Sequence, residues 1–244
     1  MVITSLNNDR VKELVRLKDK KYRDKSGLFF VEGYDIVLEA YKNNLLKELY
    51  VLEDNVVDID MPVTYVSREV MKKISDMDSI SDCYGVCYKK KELGVGNRII
   101  ILDNVQDPGN LGTIIRSAVA FNFTDVIISK GTVDLYNPKV IRSTKGMLFN
   151  VNIIVRELDE FINGLDNYMV YGTDVVDGDN IRDIDMPKNV AVVIGNEGRG
   201  ISNDIRNLCD KFIYIDMNNM CESLNASVAA SILMYEVNNK WNMY

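Results

Sequence analysis

The sequence contains no histidine among its 244 residues. This absence excludes Ser-His-Asp hydrolysis, Cys-His proteolysis and every metal site with an imidazole ligand, because these sites need the titration or coordination chemistry of histidine. Apolar runs of roughly 20 residues, the length of a membrane-spanning helix, are also absent. Any reaction at this chain must therefore use other groups or a reagent that is already activated.

Cysteine is scarce, and a secretory signal is missing. The four cysteines, Cys83, Cys87, Cys209 and Cys221, lack Cys-x-x-Cys spacing, which favours small buried side chains over redox or metal chemistry. The first five residues lack the charged and apolar regions of a secretory signal. With 47% hydrophobic and 27% charged residues, the composition is typical of a globular protein, and we expect a cytoplasmic location.

Positive charge is in the minority but unevenly placed. The formal net charge of −7 and the pI of about 4.8 argue against binding of nucleic acid through bulk charge. The first 25 residues nevertheless hold a basic cluster, which is either a solvated helix face or a surface for RNA. Its members are Arg10, Lys12, Arg16, Lys18, Lys20, Lys21, Arg23 and Lys25.

Residues 1–92 read as a small α/β unit. The spacing of Val11, Leu14, Val15 and the aliphatic stem of Lys18 predicts one amphipathic helix from Asn8 to about Tyr22. Short apolar runs then alternate with helical stretches. The predicted strands are Leu28–Val31, Glu48–Leu52, Val63–Val66 and Tyr84–Tyr88, and the predicted helices are Asp35–Tyr41 and Arg68–Ile74.

A charged, glycine-containing stretch from Lys89 to Asn97 predicts an exposed connection, and we place a second domain at residues 97–244. Continuous runs of Val and Ile between helices predict a mostly parallel sheet that is covered on both faces. The predicted strands are Arg98–Leu102, Val126–Ser129, Val151–Val155, Tyr168–Gly172, Val190–Ile194 and Phe212–Ile215. The predicted helices are Leu111–Phe121, Pro138–Ser143, Leu158–Asn163, a helix after Ser202, and Ser223–Trp241.

Two common nucleotide-binding patterns do not fit. Gly94-Val95-Gly96 lacks the third glycine of a dinucleotide-binding turn and precedes a strand instead of following one. No Gly-x4-Gly-Lys-Ser/Thr stretch occurs, so a phosphate-binding P-loop is excluded as well.

Three other segments carry the polar residues that point to chemistry. The apolar strand Val190–Ile194 runs directly into Gly195–Ser202, whose three glycines allow the backbone to approach a bound group closely. Asp107–Ala118 precedes it and begins with a turn signal, and Met220–Ala229 follows it and is rich in small residues.

Individual residues in these segments have two interpretations each. Arg116 interrupts an apolar helix face and forms either an ordinary surface ion pair or part of a site. Glu197 is either a loop carboxylate in water or a functional group held between glycines. Ser223 is a candidate N-cap of the last helix, which would place Asn225 in the first turn, where it needs a polar partner.

Together the three segments resemble the motifs of the SpoU/TrmH family of RNA ribose 2'-O-methyltransferases. The resemblance implies S-adenosylmethionine as methyl donor, an α/β SPOUT domain with a trefoil knot and a parallel sheet, and a homodimer. No metal is expected, because the chain has no histidine and no evident metal ligands. Phe29–Gly33 and the helix after it resemble a substrate-binding domain similar to ribosomal protein L30e. The implied catalytic residues are Asn110, Arg116, Glu197, Ser223 and Asn225, and the implied cofactor-binding residues are Thr173, Gly195, Ile215 and Leu224.

The family resemblance places Arg116 in the catalytic centre, where such an arginine has been assigned the role of base. A guanidinium with a pKa above about 12 is a poor proton acceptor, whereas its planar fork suits a bidentate grip on phosphate. We therefore expect Arg116 to position the nucleotide and to stabilise developing alkoxide charge, with the proton leaving to phosphate or water.

Three functions of different class follow from the sequence. A ribose 2'-O-methyltransferase acting on structured RNA accounts for all three segments. A base methyltransferase of the same superfamily is the second, and a non-catalytic RNA-binding or assembly protein is the third. The additional N-terminal domain favours ribosomal RNA over transfer RNA as the substrate, because such a domain supplies surface for reading RNA shape.

Overall fold

The computed structural model describes residues 2–75, 80–175 and 177–241. In chain order its elements are β1 (Val2–Ile3), α1 (Asp9–Arg16), α2 (Lys20–Ser26), β2 (Leu28–Glu32), α3 (Tyr34–Lys42), β3 (Leu46–Leu52), β4 (Val63–Val66), α4 (Arg68–Ile74), β5 (Cys83–Tyr88), β6 (Arg98–Leu102), α5 (Pro108–Ala120), β7 (Asp125–Ser129), α6 (Pro138–Thr144), a 3₁₀ turn (Met147–Phe149), β8 (Asn152–Arg156), α7 (Leu158–Asn163), β9 (Met169–Thr173), β10 (Asp179–Asn180), β11 (Val190–Ile194), α8 (Asn203–Arg206), β12 (Lys211–Tyr214) and α9 (Ala226–Trp241).

The chain forms two compact units. The N-terminal unit comprises residues 1–91 together with 136–150, and the C-terminal unit comprises residues 92–135 and 151–244. The segment 136–150 joins the first unit because its aromatic side chains pack there. The ring of Phe29 lies 4.5 Å from that of Tyr136 and 5.9 Å from that of Phe149, measured between centroids.

The sheet of the N-terminal unit has the strand order β1-β4-β3-β5-β2. β4 pairs in parallel with β1 and β3, whereas β5 pairs antiparallel with β3 and β2. Val11 and Leu14 of α1 are buried against this sheet in one cluster with Tyr50, Val66 and Tyr84. Two members of the predicted apolar stripe of the first helix, Val11 and Leu14, therefore lie on the face that packs, whereas Lys18 is exposed.

The prediction of one helix from Asn8 to Tyr22 is wrong, because the chain breaks after α1. Asp19 accepts a hydrogen bond from the backbone N–H of Lys21 and caps α2. The guanidinium of Arg23 is buried and donates to the carbonyl oxygens of Leu17 and Lys18 at 2.8 and 2.7 Å. Arg23 thus holds the break between the helices, and only the other seven members of the basic cluster are exposed.

The sheet of the C-terminal unit has the strand order β10-β12-β9-β11-β6-β7-β8, and every pair in it is parallel. The predicted parallel sheet is therefore confirmed. Side chains of the central strands are buried on both faces, since neighbouring residues such as Ile100 and Ile101 are both inaccessible to solvent. Residues of α7 and α8, among them Leu158 and Ile205, pack on one face with Ile101 and Val193.

Helices α5 and α9 lie against each other in the C-terminal unit. The hydroxyl groups of Ser117 and Ser231 are 2.8 Å apart across this contact. Among residues 2–75, 80–175 and 177–241, no helix is long and apolar enough to span a membrane.

Candidate active site

The carboxyl ends of β9, β11 and β12 meet at one edge of the parallel sheet, which is where open α/β sheets bind ligands. The loops after these strands and the segment before α9 enclose a cavity of about 310 Å³. Five of the sequence-predicted residues other than Glu197 line it, together with apolar neighbours and main chain. The lining includes Thr173, Gly195, Ile215, Ser223 and Leu224, and also Asp174, Val175, Ile194, Ile213, Met217 and Leu233.

The loop after β11 closes tightly on itself. The backbone groups of Asn196 and Gly200 exchange two hydrogen bonds of 3.0 and 2.9 Å, and Gly200 has a φ of +68°, which disfavours other residues. The side-chain oxygen of Asn196 accepts from the backbone N–H groups of Gly198 and Arg199 at 3.0 and 3.1 Å. The loop is therefore held by its own hydrogen bonds.

Gly195 is needed for this closure. A Cβ atom at Gly195 would lie 2.2 Å from the carbonyl carbon of Gly200 and 2.2 Å from the nitrogen of Ile201. The sequence interpretation assigned the glycines to close approach of a bound group, whereas the approach seen at Gly195 is to the backbone of the same loop. Gly195 also lines the cavity. The lack of a side chain at Gly195 therefore serves both the closure of the loop and access to the cavity.

Glu197 joins the loop after β11 to the start of α5. Its Oε1 accepts from the side-chain amide of Asn110 at 2.9 Å and from the backbone N–H of Asp107 at 3.2 Å. Its Oε2 accepts from the backbone N–H of Gln106 at 3.2 Å. Asn110 is itself buried in the first turn of α5, where Asp107 caps the helix, so the helix starts three residues before the predicted Leu111.

These hydrogen bonds keep Glu197 ionised. Burial by itself raises the pKa of this carboxyl, but the hydrogen bonds from Asn110 and from nearby backbone N–H groups outweigh burial and hold the pKa below its ordinary value. Glu197 also lines the cavity. The cavity therefore has a fixed negative charge on its wall, which favours a ligand with a positive centre.

Replacement of Glu197 by glutamine tests this charge. A lowered pKa in the folded state means that the carboxylate stabilises the fold above the ordinary glutamate pKa, and that this contribution is lost as pH falls through the lowered value. We expect Glu197→Gln to reduce the free energy of unfolding at pH 7 by about 1 kcal/mol, and the difference from the wild type to shrink below about pH 4.

Thermal unfolding from pH 7 to pH 3 measures this difference. Glu53→Gln is the matched control, because Glu53 is exposed and its side chain has no partner among the described residues. If the free energies of unfolding of Glu197→Gln and the wild type differed by the same amount at every pH, the proposed negative charge on Glu197 would be contradicted.

The start of α9 differs from the prediction. The helix begins at Ala226, and the side-chain oxygen of Asn225 accepts from the backbone N–H groups of Ser227 and Val228 at 2.9 and 3.3 Å. Asn225 is therefore the N-cap, and the prediction of Ser223 as N-cap was wrong. The polar partner that Asn225 needs is the exposed end of the helix itself.

Replacing Asn225 by alanine removes the cap of α9. We expect a loss of about 1 kcal/mol in the free energy of unfolding, whereas Asn225→Ser restores most of it, because serine also caps helices well. Chemical denaturation of the three proteins measures the differences. Equal stability of Asn225→Ala and the wild type would show that the cap is unimportant.

Arg116 lies in α5 with its side chain exposed. No hydrogen bond or ion pair of this side chain is found within residues 2–75, 80–175 and 177–241, so the interpretation of Arg116 as an ordinary surface ion pair is wrong for the described part of the chain. The structure brings Asn110 and Glu197 into direct contact. It gives no such contact between Arg116 and the other predicted residues.

An ion-pair cluster that no sequence motif marks holds one wall of the cavity. Arg206 of α8 pairs with Asp174 at 2.6 Å and with Asp177 at 3.2 Å, and its guanidinium lies 4.2 Å from the ring centroid of Phe212. Asp174 lines the cavity directly after Thr173. No motif marks Arg206, because its partners lie 32 and 29 residues away in sequence.

Comparison with known proteins identifies the family. A profile described as the SpoU rRNA methylase family matches residues 97–235. The chain belongs to this family. A second profile, described as an MRM3-like substrate-binding domain, matches residues 8–83.

Individual members of the SpoU family resemble the chain over nearly its whole length. The 23S rRNA (guanosine(2553)-2'-O)-methyltransferase RlmP of Bacillus subtilis is 32% identical over 243 residues, which is 96% of this chain and 98% of the relative. A crystal structure of an RNA 2'-O ribose methyltransferase is 27% identical, with a TM-score of 0.85 over 99% of this chain and 100% of the other. An AdoMet-bound rRNA methyltransferase from Sinorhizobium meliloti is also 27% identical, with a TM-score of 0.85 over 98% and 97%.

Membership of the SpoU family confirms several predictions. The fold is that of a SPOUT methyltransferase with an additional N-terminal substrate-binding domain. The protein is an RNA ribose 2'-O-methyltransferase, and its methyl donor is S-adenosylmethionine. The individual site residues and the boundary between residues 92 and 97 stay predictions.

Proposed function

We propose that this SpoU enzyme methylates a ribose 2'-hydroxyl of 23S ribosomal RNA. The observation that carries the proposal is the match to RlmP, a 23S rRNA methyltransferase by name, over 96% of this chain and 98% of the relative. The match covers both units. It therefore includes the N-terminal unit, which we propose to contact the RNA, as well as the catalytic unit. A cytoplasmic location follows from such a substrate.

The cavity suits S-adenosylmethionine. Apolar side chains such as Ile194, Ile215 and Leu224 offer surface for the adenine ring, while the main chain after Thr173 and at Gly195 offers polar groups for its edges. The ionised Glu197 complements a positive centre. When bound, S-adenosylmethionine supplies an activated methyl group on a sulfonium, so the protein has mainly to align the nucleophile.

The residues around the cavity have distinct tasks in this proposal. Arg116, exposed and without a partner among the described residues, grips the phosphate of the target nucleotide with its planar fork. Asn110 fixes Glu197 through the 2.9 Å hydrogen bond. Asn225 uses its oxygen to cap α9, which leaves its amide N–H groups to orient the ribose together with Ser223.

Alignment accounts for much of the rate in such a mechanism. Holding an oxygen nucleophile in line with a reacting carbon lowers a barrier by several kcal/mol, and by about 7–11 kcal/mol in favourable intramolecular models. The proton of the 2'-hydroxyl leaves to phosphate or water in this proposal, because the arginine is a poor acceptor.

A homodimer is part of the proposal. Helix α9 has two exposed large apolar side chains, Val228 at 46% and Tyr235 at 49% relative exposure. The ring of Tyr235 packs edge-on against that of Phe121, at the end of α5, with centroids 5.6 Å apart. Burial of this apolar surface against a second copy would stabilise a dimer.

Transfer of labelled methyl from S-adenosylmethionine tests the reaction and the substrate together. Unmodified 23S rRNA and unmodified transfer RNA are incubated separately with the enzyme, digested, and the labelled nucleoside is identified. We expect a 2'-O-methylated nucleoside from 23S rRNA alone. Label in transfer RNA alone would contradict the proposed substrate, and a methylated base would contradict the proposed reaction.

A further inference from the structure

The N-terminal unit has a cavity of its own, of about 210 Å³. Residues of β2, α3 and α6 line it, and none of the three family segments contributes to it. The lining residues are Phe30, Glu32, Ile36, Asn137, Pro138, Lys139, Ile141 and Arg142.

The inside of this cavity offers a stacking surface. The ring of Phe30 is supported by the ring of Tyr84, with centroids 5.1 Å apart and an angle of 21° between the planes. Ile36 and Ile141 add apolar walls. Such a surface favours binding of a planar aromatic ligand. The ring of Phe30 is already held in place, so stacking on it costs little conformational entropy.

Two cations line the same cavity from α6. Lys139 and Arg142 are exposed, and the segment 136–150 contains three basic residues and no aspartate or glutamate. Within residues 2–75, 80–175 and 177–241, neither side chain has an acidic partner. Unpaired cations beside an apolar cavity favour a ligand that combines an anion with an apolar ring.

Glu32 sets the orientation of such a ligand. Its Oε2 accepts a hydrogen bond from the hydroxyl of Ser75 at 3.0 Å. A carboxylate repels phosphate, whereas it tolerates the N–H groups at the edge of a nucleobase, which are hydrogen-bond donors. The base therefore belongs beside Glu32 and Phe30, and the phosphate beside Lys139 and Arg142.

The distribution of charge agrees with an RNA ligand on this unit. Its residues include 19 lysines and arginines against 16 aspartates and glutamates, whereas the C-terminal unit has 10 against 20. The net charge is thus +3 on the N-terminal unit and −10 on the other. RNA phosphates favour the unit that contains the cavity.

We propose that this cavity, which shares no lining residue with the candidate active site, binds one unstacked nucleotide of the RNA substrate. The base stacks on Phe30 and contacts Glu32, and the 5'- or 3'-phosphate lies on Arg142 and Lys139. The inference rests on the proposed function for the identity of the RNA, but not for the binding itself.

Variants of the full-length enzyme test the cavity. Arg142→Ala and Phe30→Leu are compared with Phe30→Tyr, which keeps the ring, and with Lys47→Ala, which removes an exposed cation of the same unit that pairs with Glu48. Binding of unmodified 23S rRNA and of transfer RNA is measured by filter binding at several salt concentrations. Binding of S-adenosylmethionine and thermal unfolding are measured as checks on folding.

We expect Phe30→Leu to weaken binding of the preferred RNA about fivefold or more, and Phe30→Tyr to bind nearly as the wild type does. Arg142→Ala should weaken binding and lower the salt dependence by about one phosphate contact. In methyl transfer, both losses should raise KM for RNA and leave kcat at saturating RNA unchanged.

The inference is overturned if Arg142→Ala and Phe30→Leu bind RNA as Lys47→Ala does while all variants stay folded. A fall in kcat with unchanged KM would also overturn it, because that result places the residues in the reaction. Failure of the proposed substrate would give a different result from failure of this inference. The wild type would then bind or methylate transfer RNA, and the cavity variants would still weaken binding of that RNA.

Discussion

Replacement of Arg116 by alanine is expected to lower kcat for methyl transfer by about 10²–10³-fold. The side chain is exposed and has no partner among the described residues, so its removal should leave the free energy of unfolding and the affinity for S-adenosylmethionine unchanged. The loss is specific to the transition state, where the guanidinium would hold the phosphate and stabilise charge on the attacking oxygen. Single-turnover transfer of labelled methyl, with thermal unfolding alongside, measures these quantities.

Two further variants sharpen the test of Arg116. Arg116→Lys keeps the charge but loses the bidentate geometry, and we expect it to recover only a small part of the activity. Lys188→Ala is the control, because Lys188 is an exposed cation of the same unit and has no hydrogen-bond or ion-pair partner within the part of the chain that the structure describes. Nearly full turnover of Arg116→Lys would contradict the grip on phosphate.

Gly195→Ala is expected to have the largest effect on the cavity itself. The new Cβ would lie 2.2 Å from two backbone atoms of the same loop, and backbone cannot give way as the end of a flexible side chain can. We expect a loss of about 2–3 kcal/mol in the free energy of unfolding, a fall in Tm of roughly 4–12 °C, and loss of binding of S-adenosylmethionine.

Gly198→Ala is the matched control for this variant. It lies in the same loop, but its nearest non-neighbouring atom from an added Cβ is the side-chain oxygen of Asn196 at 3.8 Å, an ordinary contact. Calorimetric unfolding and titration with S-adenosylmethionine compare the two variants. A Tm and an affinity of Gly195→Ala equal to those of Gly198→Ala would show that the loop tolerates the methyl group.

Strong, uninterrupted patterns in the sequence predicted the elements that surround the site. β11 and β6 occur at the predicted residues, Val190–Ile194 and Arg98–Leu102. A short continuous run of apolar, mainly β-branched residues is typical of a parallel strand that is buried on both faces. The break before α2 was missed, because the helical spacing continues to Lys18, whereas the side chain of Asp19 caps a new helix directly after it. β10 has two residues and no alternation to detect.

The contacts within the site were beyond sequence reasoning. Asn110 and Glu197 were both predicted as site residues, but the hydrogen bond between them joins positions 87 apart in sequence, and only the sheet topology brings these together. The choice between Ser223 and Asn225 as N-cap could not be made from residue type, because both cap helices well. The buried role of Arg23 was hidden for a similar reason, since the other members of its basic cluster are all exposed cations.

The segment 136–150 belongs to the N-terminal unit although the chain reaches it only after building β6, α5 and β7. During synthesis the N-terminal unit therefore cannot complete its packing when residue 91 has emerged, and it must wait for the side chains that cover Phe29. Part of the C-terminal unit is therefore synthesised before the N-terminal unit is complete. A gene fragment that ends at residue 92 would encode an incomplete fold with an aromatic surface left in water, so recombination at that point would not exchange intact modules.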